Sequence, residues 1–129
     1  KSMMSKKVKK MFCGLMAALC VAGTTVPVMA DTVRFDVTVP GDPKTKRTVK
    51  ADGEQKFYVT GTYFSTYASL SCRSYQLDNQ HIFSKYAYIS KNDPASNAKY
   101  EKWAASGVYY FMITNSSATG LNVEGRYTP

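Results

Sequence analysis

Val108-Tyr109-Tyr110-Phe111-Met112-Ile113-Thr114, then Asn115-Ser116-Ser117-Ala118-Thr119-Gly120, then Leu121-Asn122-Val123-Glu124-Gly125-Arg126-Tyr127-Thr128: this closing stretch decides how the rest of the chain is read. In its last segment Leu121, Val123 and Tyr127 point one way, and Asn122, Glu124, Arg126 and Thr128 point the other. A period of two marks a half-buried strand. The first segment is apolar on both faces, which suits a more central strand. The small polar link ending in Gly120 predicts a turn, so the stretch reads as a β-hairpin. A lone hairpin is marginal in water and needs further strands to cover it.

Those strands are found upstream. Val33, Phe35, Val37 and Val39 alternate with Thr32, Arg34, Asp36 and Thr38, and Pro40-Gly41 ends the run. Asp52-Gly53 has the chemistry of a hairpin turn, followed by a strand from Gln55 to Phe64 with Phe57, Val59 and Tyr63 on one face. From Tyr67 to Gln76, Ala68, Leu70 and Cys72 share one face, and Ser69, Ser71, Arg73 and Tyr75 the other. Residues His81 to Ser90 form a further strand whose alternation does not settle its inward face. One segment departs from the β pattern. Asp93 suits an N-cap, Pro94 a first helical position, and Ala95 to Ala105 is rich in good helix formers. This predicts a short helix laying Tyr100, Trp103 and Ala104 on the core. About seven short strands with turns between them give an all-β domain with that one helix. The architecture is a small immunoglobulin-like β-sandwich, with a small β-barrel as the alternative. The Cys…Trp…Cys spacing of true immunoglobulin domains is absent, so the expectation concerns architecture only.

The amino-terminal part has a different character. Lys1, Lys6, Lys7, Lys9 and Lys10 precede an uncharged stretch from Met11 to Ala30, with an apolar core from Phe12 to Gly23 and Val28-Met29-Ala30 ahead of Asp31. Basic start, short apolar core and small residues are the layout of a secretory signal peptide. Residues 1–30 are therefore read as a leader and residues 31–129 as a single exported domain. The competing reading is an uncleaved membrane anchor, since twenty uncharged residues reach across a bilayer. Pro27 and the Thr24-Thr25 pair shorten the apolar run and favour cleavage, after which no stable membrane insertion is expected. Leu19 before Cys20 does not suit a lipoprotein signal.

The leader changes what composition implies. Of 17 Lys and Arg, five stand in it, while all 9 Asp and Glu follow it, so the formal +8 of the whole chain falls to about +3 for residues 31–129. That basicity is weak support for nucleic-acid binding, and none is expected. Only Cys72 of the three cysteines lies beyond the leader, so an internal disulfide is not expected and the domain must rest on its apolar core.

No specific catalytic constellation emerges, and the chain is not read as an enzyme. His81 is the single histidine; pairing it with Cys72 would give a thiol dyad, but Cys72 shares its face with Leu70, where a buried inert thiol is the common case. One histidine and one cysteine do not make a zinc site, and no cofactor is implied. Asp78-Asn79 and Asn92-Asp93 are turn chemistry before they are calcium ligands. Asn115-Ser116-Ser117 fits a glycosylation sequon. Lys44, Lys46, Arg47 and Lys50 make a basic run that suits a solvated loop, a charged edge strand, or a patch for an anionic partner.

Aromatic content is the unusual feature, because all ten tyrosines follow the leader. Tyr58, Tyr75, Tyr88 and Tyr110 are candidates to face outward. Tyrosine is favoured at binding surfaces, and it is also a good strand residue wherever it sits. If the domain binds, Arg73, Tyr75, Tyr58 and Tyr88 are the candidate binding residues, since Leu70 and Cys72 turn Arg73 and Tyr75 away from the core. Cell-wall glycan or a surface protein would be the partner.

The lysine-rich leader ending Val-Met-Ala, the opening strand RFDVTVP and the closing VYYFMITNSS…LNVEGRYTP resemble a group of small secreted proteins of unknown function from Gram-positive bacteria. In that group a strand ending near a proline opens the mature chain, and a hairpin with Asn/Ser in its turn and a Gly-aromatic ending closes it. The resemblance implies an extracellular setting, secreted or cell-wall associated, and a β fold, but no mechanism. The functional expectation is a secreted non-catalytic binding or surface-interaction module; a cationic bacteriocin-like effector is the alternative.

Overall fold

The computed structural model describes residues 31–129, so the expected leader lies outside the described residues. Eight strands are present: β1 (Val33–Val39), β2 (Thr48–Val49), β3 (Lys56–Phe64), β4 (Leu70–Gln76), β5 (Ala87–Ile89), β6 (Ala95–Lys99), β7 (Tyr109–Asn115) and β8 (Leu121–Thr128). They form two antiparallel sheets of four, ordered β1-β8-β3-β6 and β2-β7-β4-β5, which pack as a β-sandwich. No helix occurs among the described residues.

An all-β sandwich is the expected fold class, but several local expectations are corrected. β7 and β8 are both strands, yet they are not a hairpin. β8 pairs with β1 and β3, whereas β7 pairs with β2 and β4. The inward residues of β7 (Tyr110, Met112, Thr114) line one wall of the core, and those of β8 (Leu121, Val123, Tyr127) line the other. The link between them therefore crosses the end of the core. Gly120 adopts a positive φ of 77° there and donates its N–H to the Val39 carbonyl at 2.8 Å. Asp52-Gly53 also turns between sheets rather than within one: β2 pairs with β7, and β3 with β8 and β6.

The segment expected to be helical is strand β6, paired with β3 from Thr60↔Ala95 to Lys56↔Lys99. Helix propensity is worth only tenths of a kcal/mol per residue, and a free edge on β3 with buried positions for Ala98 and Tyr100 outweighs it. Trp103 is consequently not on the core: it is 71% exposed, and Ala104 takes the interior. The Gln55 side-chain amide holds this turn, accepting from Ala104 N–H at 2.7 Å and donating to its carbonyl at 2.9 Å.

In β3, Phe57 and Val59 face inward, but a bulge between Gly61 and Tyr63 shifts the register against β8. The extra residue reverses the alternation, so Tyr63 is exposed and Phe64 is buried. β5 settles the face that alternation left open: Ala87 and Ile89 point in and Tyr88 out.

Phe35, Val37, Phe57, Leu70, Met112 and Val123 lie at the centre of the apolar core. Near one end of the sandwich it gives way to a buried polar network. The Ser74 hydroxyl bonds to those of Tyr100 at 2.8 Å and Tyr127 at 2.5 Å, and Tyr110 donates to the Ala105 carbonyl at 2.8 Å. Tyr110 is thus wholly buried rather than outward. Lys50, expected in a solvated basic run, is 1% exposed; its Nζ donates to the Pro129 carbonyl at 2.8 Å and lies 5.3 Å from the Tyr100 ring centre. Burial lowers its pKa, and Asp52 at 3.7 Å opposes that shift.

Candidate functional site

The outer face of the β2-β7-β4-β5 sheet carries an aromatic surface built by strand register. Arg73 on β4 lies opposite Ile113 on β7, and Tyr75 opposite Phe111. Ser71 lies opposite both Asn115 on β7 and Tyr88 on β5. Alternation therefore sends Ser71, Arg73 and Tyr75 outward while Leu70, Cys72 and Ser74 go to the core.

The rings are in contact. Tyr75 stacks on Phe111 with centroids 5.7 Å apart and planes 24° apart, and meets Phe83 at 6.0 Å. Tyr86 and Tyr88 lie 6.4 Å apart. The Arg73 guanidinium sits between two rings, 4.2 Å from Phe83 and 4.4 Å from Tyr86. Its Nε–H donates to the Ser84 carbonyl at 2.7 Å, and Nη1 to the Tyr86 hydroxyl at 3.3 Å. Each exposed cation–ring contact is worth about 0.5–1 kcal/mol, so Arg73 is held in a fixed orientation by the two rings and the carbonyl together. Two more cations of the basic run lie over rings of the same face: Arg47 is 4.4 Å from Tyr109, and Lys44 is 5.8 Å from Phe111.

Between these groups lies a hollow of about 430 Å³, floored by Ile113 and Tyr75, walled by Arg73, Tyr86 and Tyr88, with Ser71 and Asn115 at one end. Tyr86 and Tyr88 are 48% and 58% exposed, an apolar surface rimmed by polar atoms of the kind that marks recognition sites. A larger groove of about 510 Å³ runs along β1 and is of mixed charge, with Asp36, Asp42 and Glu124 facing Arg34, Lys44 and Lys46.

Three of the four sequence-derived candidates, Arg73, Tyr75 and Tyr88, meet at the hollow. Tyr58 does not join them: it lies on β3 of the other sheet, where its hydroxyl donates to Glu54. Tyr86, Phe83 and Phe111 were not singled out by the sequence. Tyr86 offered a signal in its two-residue spacing from Tyr88, but Phe83 precedes β5 and reaches the site through an isolated bridge to Tyr75.

The remaining candidates stay apart. Cys72 is buried in the core, and burial pushes its thiol pKa up to about 12, so it is held as the unreactive thiol. His81 is exposed in a turn where its N–H donates to Asn79 Oδ1 at 3.2 Å. Among the described residues no group of three or more His, Cys, Asp or Glu is placed to hold a metal ion. None contributes a helix long and apolar enough to cross a membrane. Compared with family models, curated proteins and solved structures, the chain matches none.

Proposed function

We propose that the protein is an exported, non-catalytic binding module that grips carbohydrate, in the first instance cell-wall glycan, on the outer face of the β2-β7-β4-β5 sheet. The observation that carries this reading is the hollow beside Tyr86 and Tyr88, with Arg73 clamped between Phe83 and Tyr86. Exposed tyrosine rings give flat apolar area for the faces of sugar rings, with hydroxyls at their edges for sugar hydroxyls. Ser71 and Asn115 add small hydrogen-bonding groups at the end of the hollow. Arg73 and Tyr75 are placed by β4 and held by their ring contacts, so little of their side-chain freedom is lost on binding. Export rests on the basic, then apolar, first thirty residues, and the Gram-positive setting on the resemblance of the two ends of the domain.

The test is retention on purified Gram-positive cell wall. Wild type and Tyr58→Ala, altered on the opposite sheet, are expected to be retained alike. A folded Arg73→Ala, Tyr75→Ala double variant and a Tyr88→Ala variant are expected to wash off. Equal retention of all four places the binding elsewhere, and retention of none removes cell wall as the partner.

A further inference from the structure

We infer that the ligand of this face is an acidic polysaccharide, whose sugar rings lie on the tyrosines and whose anionic groups meet Arg73, Lys44 and Arg47. The inference rests on the glycan-binding reading above and goes beyond it in naming the ligand's charge and path.

Three observations carry it. The first is the sign of the face. No acidic residue lines the hollow, whereas the outer face of the opposite sheet mixes signs, with Asp36 and Glu124 beside Arg34 and Arg126. Lys44 also lines the neighbouring β1 groove, where it shares the surface with Asp36, Asp42 and Glu124, so the all-cationic part of the face is the hollow itself and the Arg47 side. The second is the placement of the cations. Lys44, Arg47 and Arg73 each lie over a ring, so positive charge and apolar surface alternate at the scale of single side chains.

The third is the direction set by the register. Lys44 bridges to Ile113, and Ile113 pairs with Arg73, so one row across the strands reads cation, aliphatic, cation. Its end cations stand two strand spacings apart, roughly 10 Å, and the adjoining row of Phe111, Tyr75 and Phe83 runs parallel to it roughly 7 Å away. Lys44 and Arg73 reach from that row over Phe111 and Phe83 of the next, so a chain lying across the strands meets cation and ring together. Single-stranded nucleic acid shares this chemistry in part, but it is favoured by a continuous cationic groove. Here three separated cations and small hydroxyl and amide partners suit a sparsely charged, hydroxyl-rich chain better.

The experiment uses the purified chain with four probes: intact wall, wall stripped of its anionic polymers, polygalacturonate and oligo(dT). Binding to intact wall and polygalacturonate is expected, with loss on stripped wall. With three ionic contacts and a slope of about −0.7 each, polygalacturonate affinity should fall roughly 100-fold for a tenfold rise in salt. Lys44→Gln, at an exposed position, and Arg73→Gln should each flatten that slope by about a third. Lys44→Gln keeps the test decisive if Arg73→Gln, which loses the bond to Ser84, unfolds the sheet. Retention that survives stripping, or binding to polygalacturonate that ignores salt, overturns the acidic ligand and leaves the glycan reading standing. Failure on polygalacturonate also overturns it. No retention on either wall overturns both readings, and preference for oligo(dT) replaces polysaccharide with nucleic acid.

Discussion

Gly125→Ala tests the close approach of β1, β8 and β3 within one sheet. Gly125 lies on β8 opposite Phe35 on β1 and Gly61 on β3, at an inward position. A Cβ there would stand 2.2 Å from the Thr60 carbonyl oxygen, 2.7 Å from Phe35 Cζ and 3.0 Å from Gly61 Cα. The ring can turn away, but the carbonyl belongs to the β3–β8 ladder and moves only if the strands part by roughly 1 Å, set against strand neighbours spaced about 4.8 Å apart. Overpacking of a well-filled core costs about 1–3 kcal/mol, and the backbone clash puts this site near the upper end, about 3 kcal/mol. For a domain of this size each kcal/mol lowers Tm by about 4–8 °C, so Gly125→Ala should melt about 12–24 °C below wild type. Thermal and urea denaturation followed by circular dichroism measure this. Gly53→Ala, where an added Cβ meets nothing within 4 Å, is the control and should stay within about 0.5 kcal/mol of wild type. Adding Phe35→Leu to Gly125→Ala relieves only the ring contact and should recover less than half of the loss. A Gly125→Ala protein that melts with wild type would refute the strand contact itself.

The other expectations are briefer. Cys72 should resist iodoacetamide at pH 8 in the native protein and react on unfolding; rapid native alkylation would contradict its burial. Burial raises the phenol pKa of Tyr110 to about 12 and those of Tyr100 and Tyr127 further, so the unfolded chain loses these protons first. Their contribution is complete below pH about 10 and is lost as the pH climbs through the folded values, with Lys50, whose pKa is lowered, acting in the opposite sense. Urea melts at pH 8 and pH 11 should show the fall, and Tyr100→Phe should lessen it; equal stability at both pH values would contradict the buried phenols. Trp103→Ala should shift stability by no more than about 0.5 kcal/mol, and native Trp103 fluorescence should be water-like and readily quenched by acrylamide. A blue-shifted, protected emission would return Trp103 to the core.

Alternation along each strand was legible in the sequence, and pairing between strands was not. Leu70, Cys72 and Val123 take the buried positions that a period of two assigns them, and Arg73 and Tyr75 the outward ones. The Gly61 bulge was invisible because a register shift arises from two strands, so Tyr63 and Phe64 exchanged faces. β6 was misread because its local preference is helical, while the edge it completes is supplied by β3, some forty residues earlier. The same limit divides the candidate site. Arg73, Tyr75 and Tyr88 lie on strands that are neighbours in sequence as well as in space, whereas Tyr58 shares their composition but belongs to the other sheet.

The closing stretch shows why that limit is physical. Two strands joined by five small or polar residues can fold back within one sheet or arch over the end of a core, and local turn chemistry permits both. Here the two strands' own partners decide between them. β8 fills the gap between β1 and β3, pairing along both its edges, and β7 does the same between β2 and β4. A β7–β8 hairpin would leave one of those gaps open, with its backbone N–H and C=O groups unpaired. The arch also makes the aromatic face. It places Phe111 and Ile113 beside Tyr75 and Arg73 on β4, and Asn115 at the end of the hollow, where a hairpin would have set β8 beside β7 instead. The choice that satisfies the backbone of both sheets is thus the choice that assembles the aromatic surface.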